Sequence, residues 1–326
     1  MHPQPTSTGP CLCEKDGCIL PRPPLQSNGI PSTLPRSFPM RPQAFVRRCL
    51  AALFLLLAAG AWAQAGTLDK IKRTGVISLG HREASIPFSY LGDNRQPAGY
   101  SVELCQRVAE SVRRQLGLAD LQIRWVQVTP GNRVAKLASG EIDLECGSTT
   151  NTLSRQEQVS FSLLTFADGG SLLMKADSGL LGIADMGGKR IGVVPGTTTE
   201  GSLQDALARH NVKAEAVKLK DHAEGLVALM EGRIDAYASD RVILVGLVLG
   251  SGNQKSLRLS HDLFSYEPYA LMLRRNDSAF RLAVNRELAR LYRSEEIYAI
   301  YDRWLGVLGT PGPLLKSLYF LNGLPE

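Results

Sequence analysis

The amino-acid sequence predicts an α/β protein with two related lobes and a ligand cleft between them. Strand and helix patterns alternate after residue 65, which is typical of α/β architecture. A helix, a glycine and a strand that starts with Ile-Asp occur at 137–143 and again at 229–235. Because ligands bind at the carboxyl ends of strands in open α/β sheets, two such lobes facing each other would form a cleft.

The elements of the first repeat follow from the spacing of its apolar residues. Short apolar runs predict three strands, at 76–80, 122–128 and 142–145. Apolar residues at helical spacing predict helices at 101–116 and 132–139, and Gly140 ends the second of these.

The second repeat is predicted in the same way. A strand is expected at 190–194, followed by helices at 198–209 and 224–231. Two further helices, rich in Leu, Tyr and Arg, are expected between 278 and 305. In the register of the repeat, Ser148 of the first lobe corresponds to Asp240 of the second.

The start of the chain is predicted to be a leader. Three arginines, Arg41, Arg47 and Arg48, precede an apolar run at 50–59, and an Ala-x-Ala pattern follows it, which is typical of a secretory signal peptide cleaved after Ala63 or Ala65. The run is shorter than the roughly 20 residues that span a membrane, although a buried helix or a retained anchor is the alternative. We therefore expect an upstream extension at 1–39, a signal peptide at 40–65 and a mature protein in the periplasm.

The charge of the chain excludes some classes of partner. The 326 residues carry a formal net charge of +6, but residues 1–65 hold +4 of it and four of the six cysteines. The remainder is near neutral, and its basic residues are not interleaved with aromatic ones, so we expect no nucleic-acid partner. The G-x-S-x-G, H-E-x-x-H, P-loop and G-x-G-x-x-G signatures are all absent from the sequence. We therefore expect a protein that is not an enzyme and that needs no metal or cofactor.

Export also affects how the two remaining cysteines are interpreted. Cysteines in an oxidising compartment often pair, so Cys105 and Cys146 are predicted to form a disulfide. The loop closed by this bond would stabilise the fold by about 3–4 kcal/mol in the chain-entropy estimate. Two buried free thiols are the alternative.

Polar residues cluster where strands end and helices begin. Gly147 to Asn151 follow a predicted strand and Arg155 comes shortly after, so hydroxyls, backbone N–H groups and a guanidinium there would hold a carboxylate. Gly196 to Thr199 precede a helix, whose N-terminus favours an anion. Plain helix capping explains both clusters about as well. His222, taken alone, is more often a surface residue than a ligand-binding one.

Eight segments together carry a resemblance to a known family. The chain resembles the periplasmic solute-binding proteins of polar amino-acid ABC transporters, and most closely their glutamate/aspartate-binding branch. The similar segments extend from about residue 67 to about 305 and are Gly80-His81-Arg82-Glu83, Pro87-Phe88-Ser89-Tyr90, Gly99-Tyr100-Ser101, Asn132-Arg133, Glu145-Cys146-Gly147-Ser148-Thr149-Thr150-Asn151, Gly196-Thr197-Thr198, Lys220-Asp221-His222 and Met272-Leu273-Arg274.

The resemblance implies the type II periplasmic binding protein fold. Two lobes would be joined by two crossover strands, near 163–170 and 265–271, with the ligand enclosed between the lobes. Lobe 1 would be discontinuous, formed by 66–167 and 268–326, and lobe 2 would be 168–267.

The resemblance also implies the ligand and the residues that bind it. Arg155 would bind the α-carboxylate of L-glutamate or L-aspartate, with help from Thr150 and the turn of Thr197, Thr198 and Thr199. Ser148 and Asp240 would hold the α-ammonium group. The side-chain carboxylate would meet three further residues, namely Arg82, Arg133 and His222.

The charges of these groups agree with that ligand, because each buried charge of a dicarboxylic amino acid would find a counter-group. The expected partners are the amino acid and the permease subunits of an ABC transporter, and a monomer is expected. Two alternatives are an enzyme on the same fold, similar to a cyclohexadienyl or arogenate dehydratase, and a ligand sensor for a membrane receptor.

Overall fold

The computed structural model describes residues 66–326, so the predicted leader and its cleavage sites lie outside the described residues. No helix in the described part is both long enough and apolar enough to span a membrane. The elements up to the end of the first sheet's long strand are α1 (Thr67–Thr74), β1 (Val76–His81), β2 (Ala84–Ser85), β3 (Ser89–Leu91), β4 (Pro97–Ala98), α2 (Tyr100–Gln115), β5 (Gln122–Gln127), α3 (Arg133–Ala138), β6 (Leu144–Glu145), α4 (Leu153–Gln156) and β7 (Val159–Asp168).

The second half of the chain forms another sheet and then returns to the first. The elements of the second sheet are β8 (Gly170–Lys175), β9 (Arg190–Val193), α5 (Thr198–Arg209), β10 (Glu215–Lys218), α6 (His222–Met230), β11 (Ala236–Asp240), α7 (Arg241–Gly250) and β12 (Leu257–Leu259). The returning elements are β13 (Glu267–Arg274), α8 (Ser278–Arg293), α9 (Glu296–Leu305) and α10 (Pro313–Asn322).

The two five-stranded sheets share one topology. Their strand orders are β5-β1-β6-β13-β7 and β10-β9-β11-β8-β12. In each sheet the first three strands of the order are parallel and the last two pairings are antiparallel. The predicted two-lobed α/β fold is therefore confirmed. The chain crosses between sheets twice, between β7 and β8 and between β12 and β13, while the exact lobe boundaries given above stay predictions.

Hydrogen bonds confirm the internal repeat. The carboxylate of Asp143 accepts a hydrogen bond from the backbone N–H of Ser78 at 2.8 Å. The carboxylate of Asp235, at the equivalent place in the second repeat, accepts one from the backbone N–H of Arg190 at 2.8 Å. Each aspartate of the two Ile-Asp pairs thus fixes the end of a helix-glycine-strand unit to the first strand of its repeat, β1 or β9.

The isoleucines of the same pairs explain two glycines in the central strands. A Cβ atom on Gly80 of β1 would lie 2.7 Å from Cδ1 of Ile142, and one on Gly192 of β9 would lie 2.6 Å from Cδ1 of Ile234. Both distances are too short for a side chain, so each glycine makes room for the isoleucine that covers its strand. The two lobes therefore share a packing detail as well as a topology.

Element boundaries differ little from those predicted. The helix expected at 224–231 begins two residues earlier, at His222, because the side chain of Asp221 accepts a hydrogen bond from the backbone N–H of Glu224 at 2.9 Å and caps the helix. This shift places His222 at a helix N-terminus that faces the other lobe. The strand expected at 142–145 is shorter, and β6 covers Leu144–Glu145.

The first lobe contains the predicted disulfide. Cys105 of α2 and Cys146, just after β6, are bonded, with their Cα atoms 6.0 Å apart and a sequence separation of 41. The C-terminal helix α10 also packs on this lobe, where the hydroxyl of Tyr319 lies 2.9 Å from that of Tyr100, and Tyr100 donates to the backbone oxygen of Thr165 at 2.9 Å. Both ends of the described chain therefore belong to the first lobe.

Candidate ligand-binding site

The carboxyl ends of the two sheets meet around a small cavity. Nine of the ten residues predicted to bind the ligand line it, together with Ser239 and Ile243, which the sequence did not indicate. The nine are Arg82, Arg133, Ser148, Thr150, Thr197, Thr198, Thr199, His222 and Asp240. Arg155 is the predicted residue that does not line the cavity.

Two buried arginines supply positive charge from the first lobe. Arg82 follows β1 and is 5% exposed, and Arg133 begins α3 and is 3% exposed. Burial, followed by the nearby charge of Arg133, lowers the pKa of Arg82 to about 10, and burial lowers the pKa of Arg133. Within residues 66–326 the guanidinium of Arg82 donates no hydrogen bond, and Nε of Arg133 has no partner. These unused N–H groups suit a carboxylate.

A hydroxyl separates Arg133 from a buried carboxylate. Nη1 of Arg133 donates to the hydroxyl of Thr149 at 2.6 Å, and that hydroxyl donates to Oε2 of Glu145 at 2.7 Å. Glu145 forms no direct ion pair in the described part of the chain, and its Oε1 has no hydrogen-bond partner there. Glu145 therefore orients Arg133 through Thr149, and its charge favours the protonated guanidinium without a direct contact. Glu145 and Thr149 lie in one of the segments that carry the resemblance, but neither was predicted to belong to the site.

His222 is held as a neutral ring. Burial, and then the charges of Arg82 and Arg133, lower the pKa of His222 to about 3. The hydroxyl of Tyr237 lies 2.7 Å from Nδ1 of His222, and the direction of this hydrogen bond depends on the tautomer of the ring. Nε2 is the ring nitrogen left for a ligand, and the ring carries no charge.

Asp240 supplies negative charge from the second lobe. It ends β11 and is buried, and its two carboxylate oxygens accept hydrogen bonds from Thr199, at 3.0 Å, and from the hydroxyl of Tyr269. Burial and the nearby Glu267 raise the pKa of Asp240 to about 6. A cationic group in the cavity would relieve this cost, since an opposite charge favours the ionised form.

Arg155 connects the two lobes beside the cavity. Its Nη1 donates to the backbone oxygen of Thr150 at 2.8 Å and its Nη2 to that of Gly196 at 3.3 Å. Burial, followed by the charge of Arg133, lowers the pKa of Arg155 to about 10. The guanidinium thus lies between the two loops that were predicted to hold the α-carboxylate, and its role as a carboxylate ligand stays a prediction.

Glu267 is a further buried carboxylate that the sequence did not indicate. It is the first residue of β13, at the second crossover, and it is 1% exposed. Its Oε2 accepts hydrogen bonds from Thr150 of the first lobe, at 2.6 Å, and from Thr198 of the second, at 2.5 Å. Glu267 is separated from Thr150 by 117 positions in sequence, so no local pattern could have revealed this contact.

Two similar α/β lobes, joined by two crossovers and enclosing buried groups of opposite charge, define a two-lobed solute-binding protein. The chain belongs to the bacterial extracellular solute-binding proteins, family 3, whose profile matches residues 77–307. This family membership confirms the predicted resemblance, and the relatives are binding proteins and not enzymes, as predicted.

Curated relatives are similar over most of the described chain. An L-glutamate/L-aspartate-binding protein of Pseudomonas aeruginosa is 39% identical over 240 residues, which is 73% of this chain and 80% of the relative. A glutamate/aspartate import solute-binding protein of Escherichia coli K12 is 34% identical over 261 residues, which is 78% of this chain and 86% of the relative.

Solved structures share the fold. An ancestral arginine-binding protein bound to arginine has a TM-score of 0.63 at 25% identity, and the match covers 71% of this chain and 99% of that one. A substrate-binding protein of an ABC uptake transporter from Streptococcus pneumoniae, with bound histidine, has a TM-score of 0.68 at 22% identity over 75% of this chain and 98% of that one.

Proposed function

We propose that this protein captures an acidic amino acid, L-glutamate or L-aspartate, and delivers it to the permease of an ABC transporter. The observation that carries the proposal is the charge pattern of the cavity. Two buried arginines with unused N–H groups lie in the first lobe, and buried Asp240 lies in the second. A ligand with two carboxylates and one ammonium group matches this pattern, because each of these three charges then has a group of opposite charge beside it.

The roles proposed for the residues follow the same charges. Arg82, Arg133 and the Nε2–H of His222 bind the side-chain carboxylate. Asp240 and Ser148 bind the α-ammonium group. The α-carboxylate is bound by Arg155 and by the N-terminus of α5, where Thr197, Thr198 and Thr199 lie. In this binding mode the guanidinium of Arg155 gives up one of its hydrogen bonds to a main-chain oxygen and donates to the ligand instead.

The proposal extends to location and partners. The leader predicted for residues 1–65 exports the chain to the periplasm, where it acts as a monomer. The relatives named for glutamate/aspartate import support a permease as the partner. We also propose that the lobes have the boundaries predicted above, with 168–267 moving as one body when the cleft opens and closes.

Calorimetry on the mature protein tests the ligand. We expect one-to-one binding of L-glutamate or L-aspartate and much weaker binding of L-glutamine, which would leave a buried guanidinium without a counter-charge. Failure of both acidic amino acids to bind would refute the proposal.

An arginine variant tests the proposed roles. Arg82→Ala should weaken binding of the acidic ligand by about 100-fold, since breaking a buried charge pair costs several kcal/mol. Arg258→Ala is the matched control, because Arg258 is exposed on β12 of the second sheet. Its affinity should stay within about twofold of the wild type, since surface ion contacts contribute little. An equal loss for glutamate and glutamine in Arg82→Ala would contradict the role given to Arg82.

A further inference from the structure

The carboxylate of Glu267 accepts hydrogen bonds from hydroxyl groups of both lobes and of the crossover itself. Thr150 and Thr198 donate to its Oε2, and Ser265 donates to its Oε1 at 2.6 Å. Backbone pairing holds Thr150 in this position, since Thr150 forms an antiparallel bridge with Tyr269 and the next N–H, of Asn151, donates to the oxygen of Pro268 at 2.8 Å. The contact with Glu267 is therefore built into the backbone of the first lobe.

This arrangement determines what the two threonines offer to a ligand. A hydroxyl has one hydrogen to donate and two lone pairs that accept, and a carboxylate only accepts. The hydroxyl oxygens of Thr150 and Thr198 also lie 3.1 Å from each other, but their distances to the carboxylate of Glu267 are shorter, and a charged acceptor is the stronger one, so both hydrogens are directed to Glu267. Both threonines also line the cavity, so what remains available to a ligand is their lone pairs.

We propose that Glu267 is a positioning residue that turns the hydroxyls of Thr150 and Thr198 into hydrogen-bond acceptors, so that this wall of the cavity selects a ligand carrying an ammonium group. The proposal rests on the proposed function and deepens it. In this arrangement the hydroxyl of Thr150 meets the ammonium group of the ligand, next to Asp240, and not the α-carboxylate that the resemblance implied. A dicarboxylate without an ammonium group would meet only lone pairs and negative charge here, which disfavours it.

Asp168 provides a matched comparison for Glu267. The two acids face each other in the antiparallel pairing of β7 with β13. Asp168 accepts hydrogen bonds from the backbone N–H groups of Gly169, at 2.8 Å, and Val242, at 3.0 Å, and from no hydroxyl in the described part of the chain. Removing the charge of Asp168 therefore changes the local potential without freeing a hydroxyl hydrogen.

The test compares L-glutamate with glutarate, which has the same two carboxylates and no ammonium group. Calorimetry should give a wild-type preference for L-glutamate of at least about 100-fold. In Glu267→Met the hydroxyls are free to donate to a carboxylate, so the preference should fall by at least tenfold. In Asp168→Asn it should change by less than about threefold. Thr198→Val, which removes one hydroxyl, should weaken L-glutamate by about three- to tenfold and glutarate by less than twofold.

Three outcomes separate the possibilities. If Glu267→Met keeps the wild-type preference, or changes it no more than Asp168→Asn does, Glu267 does not set the direction of the hydroxyls and the inference is overturned. Equal weakening of both ligands in Thr198→Val would also overturn it, and this variant decides the matter if Glu267→Met does not unfold cooperatively. Wild-type protein that binds neither ligand would overturn the proposed function, and the inference with it.

Discussion

The two lobes have the same scaffold and different chemistry at equivalent positions. In the first sheet Gly80 pairs with Glu145, and in the second sheet Gly192 pairs with Tyr237. Glu145 orients Arg133 through a hydroxyl, and Tyr237 orients His222 directly. The same place in the repeat thus supports a cation in one lobe and a neutral histidine ring in the other.

A second equivalent pair shows the same difference. Ser148 follows β6 in the first lobe, and Asp240 ends β11 in the second. Both line the cavity, but only Asp240 brings a charge. The repeat therefore determines where strand ends meet, while the residue types at those ends determine which ligand charges are accommodated. Among the charged residues that line the cavity, Arg82 and Arg133 belong to the first lobe and Asp240 to the second.

The prediction with the largest expected effect on stability concerns the disulfide, which only the first lobe contains. After residue 65 the chain has only Cys105 and Cys146, so the first lobe alone is cross-linked. The double variant Cys105→Ser, Cys146→Ser should lose about 3–4 kcal/mol of stability, because the bond no longer restricts the unfolded chain. This corresponds to a fall in Tm of roughly 6–15 °C for a protein of this size.

Hydrogen exchange locates that loss. Protection should fall first in β1, β5 and β6 of the first sheet and persist longer in β9, β10 and β11 of the second. A uniform loss across both sheets would mean that the lobes unfold as one unit and would contradict the comparison.

A pH dependence is expected at the crossovers that join the lobes. Burial, followed by the charge of Asp240, raises the pKa of Asp168 to about 7. From pH about 4 to about 7 the folded protein therefore retains a proton that the unfolded chain has released, so the free energy of unfolding falls as pH rises. Asp168→Asn should remove about 1–2 kcal/mol of this decrease.

The measurement is the difference between wild-type and Asp168→Asn unfolding curves across that pH range. The variant should gain stability relative to the wild type as pH rises. A constant difference from pH 4 to pH 8 would show that Asp168 does not titrate in this window. Distant carboxylates contribute equally to both proteins and cancel in the difference, whereas Asp240, whose charge acts on Asp168, does not cancel.

The smallest expected effect concerns the tyrosine that orients His222. Tyr237→Phe removes the hydrogen bond to Nδ1 and should weaken binding of the acidic ligand about three- to tenfold, as for one buried hydrogen bond. Nitrogen-15 NMR of the His222 ring should change from one tautomer to a mixture. Tyr292→Phe is the matched control, since its buried hydroxyl donates to the backbone oxygen of Leu164 at 2.8 Å, away from the cavity. An unchanged ring spectrum in Tyr237→Phe would contradict the role of Tyr237.

The sequence predicted the parts of the molecule that depend on local signals. Apolar spacing and glycines at helix ends located the elements that were predicted to within one or two residues in most cases, although about half of the elements were not predicted. The repeat at Ile142 and Ile234 predicted the two lobes, and the resemblance named nine residues that line the cavity.

Several of the residues that were missed, Glu267 above all, act through contacts between separate segments of the chain. Glu267 meets Thr198 across 69 positions and Thr150 across 117, and Tyr237 meets His222 across 15. Such contacts depend on how sheets and crossovers bring segments together, which apolar spacing does not encode. Arg155 illustrates the same limit, because its present partners are main-chain oxygens that any sequence would supply.

The paired crossovers have a consequence for protein engineering. Residues 170–259 form the whole second sheet and its helices, and the chain enters and leaves them beside the antiparallel pair of β7 and β13. The disulfide and both ends of the described chain lie on the other side of this junction. The second lobe is thus a cassette with adjacent ends, and exchanging it with that of another family member would replace Asp240 and His222 while leaving Arg82 and Arg133 in place.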